Sequence, residues 1–217
     1  MDLMVEERQL FSQGIQFIAG VDEVGRGCIA GPVFAAAVIL PKQFDLPKLN
    51  DSKKISQALR EKLHDLILQQ ALGVAVASID VKEIDRINIF QASLKAMAKA
   101  LIDLKQQPEM VLVDGKFSVP IDMPQRTLIK GDGRSASIAA ASIIAKVTRD
   151  RFMAAQEKFH PGFSFSKHKG YGTAQHLKEL QMNGVTPLHR QSFAPVRDQL
   201  ALNKGVKSIV IGGSSPI

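Results

Sequence analysis

The stretch IAGVDEVGRGCIAGPV, Ile18–Val33, sets the strictest condition on how this chain can fold. It opens as an apolar run suited to a buried strand, yet it carries two adjacent carboxylates, Asp22 and Glu23, just ahead of Gly25-Arg26-Gly27. Desolvating an isolated carboxylate costs several kcal/mol unless a cation or hydrogen bonds compensate it. The end of this strand must therefore lie where positive charge can reach it. Neighbouring strand residues also point to opposite faces, so a regular strand cannot aim both acids at one ion. A bulge or a strand end is expected here, with Gly25 absorbing the irregularity.

Residues 17–24 and 33–40 read as two strands joined by a Gly-rich turn, and GVAVASID, residues 73–80, as a third, in an antiparallel meander. Between the second and third, SQALREKLHDLILQQ places Leu59, Leu63, Leu66 and Ile67 on one helical face behind Ser56 as N-cap. A further helix opens after Asn88, with Phe90, Leu94, Met97, Leu101 and Leu104 as its core stripe. EMVLVDGK is a buried strand ending at Asp114, and RTLIKGDG another ending at Asp132. SASIAAASIIAKVTRDRF, Ser135 to Phe152, is small and apolar almost all round, as suits a helix lying close against a sheet. The order predicts an α/β protein whose mixed sheet is covered by helices. Residues 1–16 read as an N-terminal extension, 17–158 as the main domain, 159–204 as a basic lobe and 205–217 as a flexible tail.

The formal net charge is +7, and residues 146–204 hold ten Lys or Arg against four Asp or Glu. That asymmetry points to a polyanionic partner, nucleic acid above all. One cysteine, Cys28, excludes an intrachain disulfide or a Cys-rich zinc site and reads as a packing residue. The five histidines are scattered without metal-ligand spacing, which predicts surface or hydrogen-bonding roles. The acidic start lacks a signal-peptide layout and no apolar run approaches a membrane span, so a cytoplasmic protein is expected.

Asp22, Glu23, Asp114 and Asp132 fall at or near the ends of three expected strands. An Asp-Gly pair after a strand is ordinary turn chemistry, which covers Asp114 and Asp132 taken singly but not Asp22 and Glu23. Gathered together, four carboxylates repel one another and call for cations. All-oxygen ligation suits Mg²⁺ or Mn²⁺, and two such ions can activate a water and stabilise the leaving oxygen of a phosphodiester. Gly25 and Gly27 leave room for a nucleic acid backbone, and Arg26 can pair with a phosphate.

GVDEVGRG with AGPV, NDSKK, VDGK, KGD, ASIIAKVTRD, HKGYGT and HRQSF, in order from about Phe17 to Arg197, together resemble bacterial ribonuclease HII. The resemblance implies an RNase H-like fold with a five-stranded mixed sheet and a C-terminal helical lobe. It implies a monomer that uses two Mg²⁺ or Mn²⁺ ions to hydrolyse RNA in RNA-DNA hybrids and to incise 5' of ribonucleotides embedded in duplex DNA. Asp22, Glu23, Asp114 and Asp132 would be the catalytic, metal-binding acids. Gly25, Arg26 and Gly27 would read the 2'-hydroxyl and its phosphate, Tyr171 would stack beneath the adjoining deoxyribose, and Asn50, Ser52, Lys53 and Lys146 would contact phosphates. Lys116 stands where the family often has Asn, which adds a cation beside Asp114. Ribonuclease HIII carries an extra N-terminal substrate-binding domain, and the roughly sixteen residues ahead of the first strand here disfavour it. A non-catalytic binder has no use for four repelling acids, and a junction resolvase is disfavoured by the Gly-Arg-Gly and Tyr171.

Overall fold

A computed structural model describes the backbone of residues 2–211 and the side chains of residues 2–202. Strands β1 (Ile18–Val24), β2 (Val33–Ile39), β3 (Gly73–Ile79), β4 (Met110–Asp114) and β5 (Gln125–Leu128) form one mixed sheet in the order β3-β2-β1-β4-β5. The first three make the antiparallel meander, while β4 runs parallel to β1 and β5 parallel to β4. Helices α1 (Val5–Ser12), α2 (Gln57–Gln70), α3 (Val81–Ile102) and α4 (Ala136–Gln156) cover it, and α5 (Phe165–His168), α6 (Ala174–Asn183) and α7 (Ala194–Ile211) follow.

Strand alternation sorts the two faces. Ala19, Val21, Ala35 and Ala37 pack beneath Ala92, Ala96, Met97 and Leu101 of α3. Ala36 and Val38 on the other face meet Leu63 and Ile67 of α2 and the Ala and Ile side chains of α4. A Cβ at Gly20 would lie 2.1 Å from the Ser137 carbonyl carbon, so α4 runs backbone-close over β1. This is why its sequence is small and apolar nearly all round.

Helix α2 starts at the cap read from sequence, with Ser56 accepting from the Leu59 amide, and α4 starts at a further cap, with Ser135 accepting from the Ile138 amide. At Asn88 the backbone turns to φ 69°, and its side chain accepts from the Gln91 amide, restarting the helix there. The turns before it, opened by Asp80 on the Glu83 amide, are the part the periodicity left out.

At the two acids the expected alternatives resolve to a strand end without a bulge: the β1–β2 register is unbroken through Asp22↔Ala36, Glu23↔Ala35 and Val24↔Phe34, and β1 stops at Val24 before Gly25 at φ +96°. Two boundaries differ from expectation. The expected strand 126–132 ends at Leu128, since Lys130 takes a left-handed conformation and Gly131–Gly133 forms a 3-10 turn that carries Asp132. Helix α7 takes up the first part of the expected tail, because one glycine, Gly205, does not end a helix; residues 212–217 lie outside the described residues. Within the first sixteen residues, α1 buries Leu10 against Ile18, Leu112, Leu128 and Ile138.

Candidate active site

Because β1 is regular, Asp22 and Glu23 leave it on opposite faces. Asp22 is 5% exposed on the α4 side, where the nearby Ser142 side chain opposes the upward shift of its carboxyl and its Oδ1 accepts from the Glu23 amide at 2.7 Å. Glu23 faces a small cleft lined by Phe90, Ser93, Met97, Asp114 and Lys116, with Arg26 Nη1 3.5 Å from its Oε1. Asp114 ends β4 one residue past the Val21↔Val113 pair, and its charge bears on both acids. The strand-face difficulty is thus met by a third carboxylate at the sheet's edge, not by an irregular strand.

Asp114 Oδ1 accepts from the Gly131 amide at 2.7 Å, which ties it to the 3-10 turn bearing Asp132, itself 8% exposed. Burial first, then repulsion from Glu23 and Asp114, holds the Asp22 carboxyl well above the usual carboxylate range. Burial also raises Glu23, although Arg26 pulls it back. Asp132 is raised by burial and then by Asp51, a buried acid of NDSKK that sequence reasoning left without a role. Four mutually repelling acids with oxygen donors only fit a hard divalent cation, which takes one or two carboxylates and keeps waters. Among the described residues, no three acidic, His or Cys side chains are grouped so that they could hold a metal ion.

The NDSKK segment borders this cluster. Asn50 and Lys53 are exposed, and Lys53 lowers the pKa of both Glu23 and Asp132. Ser52 is 3% exposed with its hydroxyl 2.8 Å from that of Ser142, so it anchors the segment to the helix that also holds Asp22.

Gly25 follows β1 with φ +96°, a conformation that L side chains rarely adopt, and a Cβ there would lie 2.3 Å from Arg149 Nε. Gly27 faces open space and Arg26 is half exposed. The 26–32 loop is bonded to the lobe: Cys28 bridges Tyr171, Ala30 bridges His189, and the Ile29 amide donates to the Gly170 carbonyl at 2.9 Å. Tyr171 is 37% exposed, with Lys146 Nζ 5.5 Å from its ring centre and paired at 2.8 Å with Asp150. Phe163 and Phe165, the packing partners a core tyrosine would take, instead stack on each other and meet His176 edge-on.

Those histidines form a network that sequence spacing did not reveal. The Thr186 amide donates to His189 Nδ1 at 3.0 Å, so the His189 proton sits on Nε2 and is donated to His176 Nε2 at 3.1 Å. His176 Nδ1 then donates to the Tyr171 carbonyl at 2.9 Å. Burial pushes His176 down to about 4 and His189 down to about 3, which keeps both neutral. The charge count also misled in part: Arg149 and Arg190, two of the lobe region's ten cations, are fully buried.

Carboxylates at the ends of β1 and β4 and on the turn after β5, beside a Gly-rich loop, define a metal-dependent phosphodiester hydrolase. A family model described as Ribonuclease HII matches residues 19–196. The chain is 50% identical over 198 residues to Ribonuclease HII of Geobacillus sp. (strain WCH70), covering 91% of this chain and 71% of that protein. It is 52% identical over 198 residues to Ribonuclease HII of Desulfitobacterium hafniense (strain DSM 10664 / DCB-2), covering 91% and 76%. Its fold matches the crystal structure of ribonuclease H2 from Pyrococcus horikoshii OT3 with a TM-score of 0.73 at 24% identity, over 87% of this chain and 99% of that one. This chain belongs to the ribonuclease HII family.

Proposed function

We propose that the protein cleaves the RNA strand of RNA-DNA hybrids and incises on the 5' side of single ribonucleotides in duplex DNA. The carrying observation is that one strand end supplies both chemistry and reading: β1 closes on Asp22 and Glu23, and its next residues are Gly25, Arg26 and Gly27. Asp22, Glu23, Asp114 and Asp132 would hold two Mg²⁺ or Mn²⁺ ions. When bound, the ions supply activation of the attacking water and stabilisation of the leaving oxygen. Water oxygen bonds to phosphorus, the P–O3' bond breaks, and the 3' oxygen leaves as a hydroxyl opposite a 5'-phosphate.

The chain's own groups do the positioning. Ser142 orients the Asp22 carboxylate and the Gly131 amide that of Asp114. Open space at Gly27 lets a sugar-phosphate backbone reach the peptide groups of the loop, where a 2'-hydroxyl distinguishes ribose from deoxyribose. Arg26, Asn50, Lys53 and Lys146 face phosphates, while Ser52 holds the segment that presents Asn50 and Lys53. The partly exposed Tyr171 ring takes the flat face of the neighbouring deoxyribose. We place the enzyme as a monomer in the cytoplasm, with residues 159–204 as the duplex-binding lobe.

The test is cleavage of two duplexes, one a DNA carrying a single ribonucleotide and one a continuous hybrid, in Mg²⁺, Mn²⁺ or EDTA. The reading expects both to be cut, each only with metal, and the first to yield a 3'-hydroxyl end. Cleavage that persists in EDTA contradicts the metal mechanism. An intact single-ribonucleotide duplex contradicts the reading of the loop.

A further inference from the structure

Arg149 is fully buried, and among the described residues it makes no salt bridge. Its three kinds of nitrogen each donate to a main-chain carbonyl: Nε to Pro32 at 3.1 Å, Nη2 to Ala30 at 3.1 Å and Nη1 to Lys169 at 2.9 Å. Pro32 and Ala30 belong to the loop that continues Gly25–Gly27. Lys169 lies two residues before Tyr171 and has left-handed backbone, φ 51°. One planar fork thus fastens the loop to the lobe. The backbone of Gly25 lies directly on the same guanidinium.

A second feature of α4 gives this contact meaning. Ser142, Lys146 and Arg149 follow one another at helical i, i+4, i+7 spacing and so share a face. Along that face Ser142 lies beside Asp22, Lys146 lies against the Tyr171 ring, and Arg149 holds the loop and the approach to Tyr171. A single rigid helix therefore fixes the distances among cleaving acid, ribose-reading loop and deoxyribose-sensing ring. A buried cation with no acid partner is expensive, and a packing residue would fill the space at lower cost. What Arg offers and Lys or Met cannot is a fixed fork that reaches three carbonyls on two segments at once.

We propose that Arg149 is a positioning residue for substrate choice: it holds the reading loop in register with Tyr171, and so sets the preference for a lone ribonucleotide over continuous RNA. This rests on the loop and Tyr171 reading the sugars as proposed above. Arg149 touches no substrate and acts only through them.

The test uses the full chain and the variants Arg149→Met and Arg149→Lys. Cleavage is measured on the single-ribonucleotide duplex and on the continuous hybrid in Mg²⁺, alongside melting temperature. The chain has one tyrosine and no tryptophan, so its intrinsic fluorescence reports Tyr171 alone, and acrylamide quenching of the free protein measures that ring's exposure. For Arg149→Met, kcat/KM on the single-ribonucleotide duplex should fall about 100-fold, the order expected for an ångström-scale misplacement, and on the hybrid only about tenfold or less. Tyr171 should become more quenchable. Arg149→Lys should recover little of the lost preference, because the charge returns without the fork.

Equal losses on the two substrates, or unchanged preference and quenching, overturn the proposal. Loss of the folded state in both variants also overturns it and assigns Arg149 to the core. If the wild-type protein cuts the hybrid but ignores the lone ribonucleotide, the reading of the loop fails, not the role of Arg149. Quenching then decides that role: greater Tyr171 exposure in Arg149→Met supports the clamp, and no change ends it.

Discussion

Two groups of buried charge lie along α4, and they are satisfied in opposite ways. Toward its middle, Ser142 meets the acids, where Asp22, Glu23 and Asp132 are all raised by burial and by neighbouring carboxylates. Two turns on, Arg149 begins a basic group in which every bond ends on a main-chain carbonyl; Arg190 adds Gly31 at 2.7 and 2.9 Å and Arg26 at 3.1 Å. The arginines are completed by folding itself. The acids keep a deficit that the chain does not fill, and on the proposed function a divalent cation would relieve it. On that proposal, folding energy would go into holding the reading loop still, and binding energy into the chemistry.

The largest effect should come from removing a member of the unsatisfied group. Asp22→Asn should lower cleavage by at least about 10²-fold in Mg²⁺, the scale of losing one charge-stabilising group, while the circular dichroism spectrum is unchanged. Near-wild-type turnover would mean that Asp22 has no part in the chemistry. On the other side of the comparison, Tyr171→Ala should reduce single-ribonucleotide cleavage by about tenfold or more, the free energy of one aromatic stacking contact, with a smaller loss on continuous hybrid. Metal dependence and melting temperature should hardly move. Equal losses on the two substrates would end the idea that this ring tests the neighbouring sugar.

Acid should separate the two groups without mutation. His176 and His189 have folded values of about 4 and about 3, below the 6.5 of free histidine, so their neutral forms stabilise the lobe. That contribution is complete above pH 6.5 and is lost as pH falls through about 4. His168 and Glu179 also face His176, and Glu179, held down to about 2, stays ionised throughout this window. Acrylamide quenching of Tyr171, whose carbonyl His176 holds, should therefore rise as pH falls through about 4. A flat profile would show that the histidine chain does not support the ring. The smallest change concerns the exposed cations. Lys53→Ala should reduce the salt slope of hybrid binding by about one unit, without altering preference between substrates.

Much of this was legible in the sequence because it depends on local rules. Period-2 and period-3.6 patterns placed the sheet and its main helices, including the stripe that opens after Asn88, and Ser56 marked a helix start through short-range capping. The acids stood out because Asp22 and Glu23 violate a strand's apolar pattern. What stayed hidden depends on contacts between distant segments. Arg149 and Arg190 look like surface charge until three-dimensional structure buries them, and His176 and His189 have no telling spacing because a turn and a helix bring them together. Asp132 was displaced from its expected strand by a left-handed Lys130, a conformation that residue type does not announce.

The central claim is that the acid group is left incomplete by folding and completed by divalent cation. Its most direct test is the melting temperature of wild type and Asp22→Asn, each in EDTA and in Mn²⁺. The account predicts that Mn²⁺ raises the wild-type value, that Asp22→Asn without metal melts at or above wild type by relief of repulsion, and that the variant gains much less from Mn²⁺. A variant that melts well below wild type in EDTA, with no Mn²⁺ shift in either protein, would contradict it and make Asp22 a structural residue.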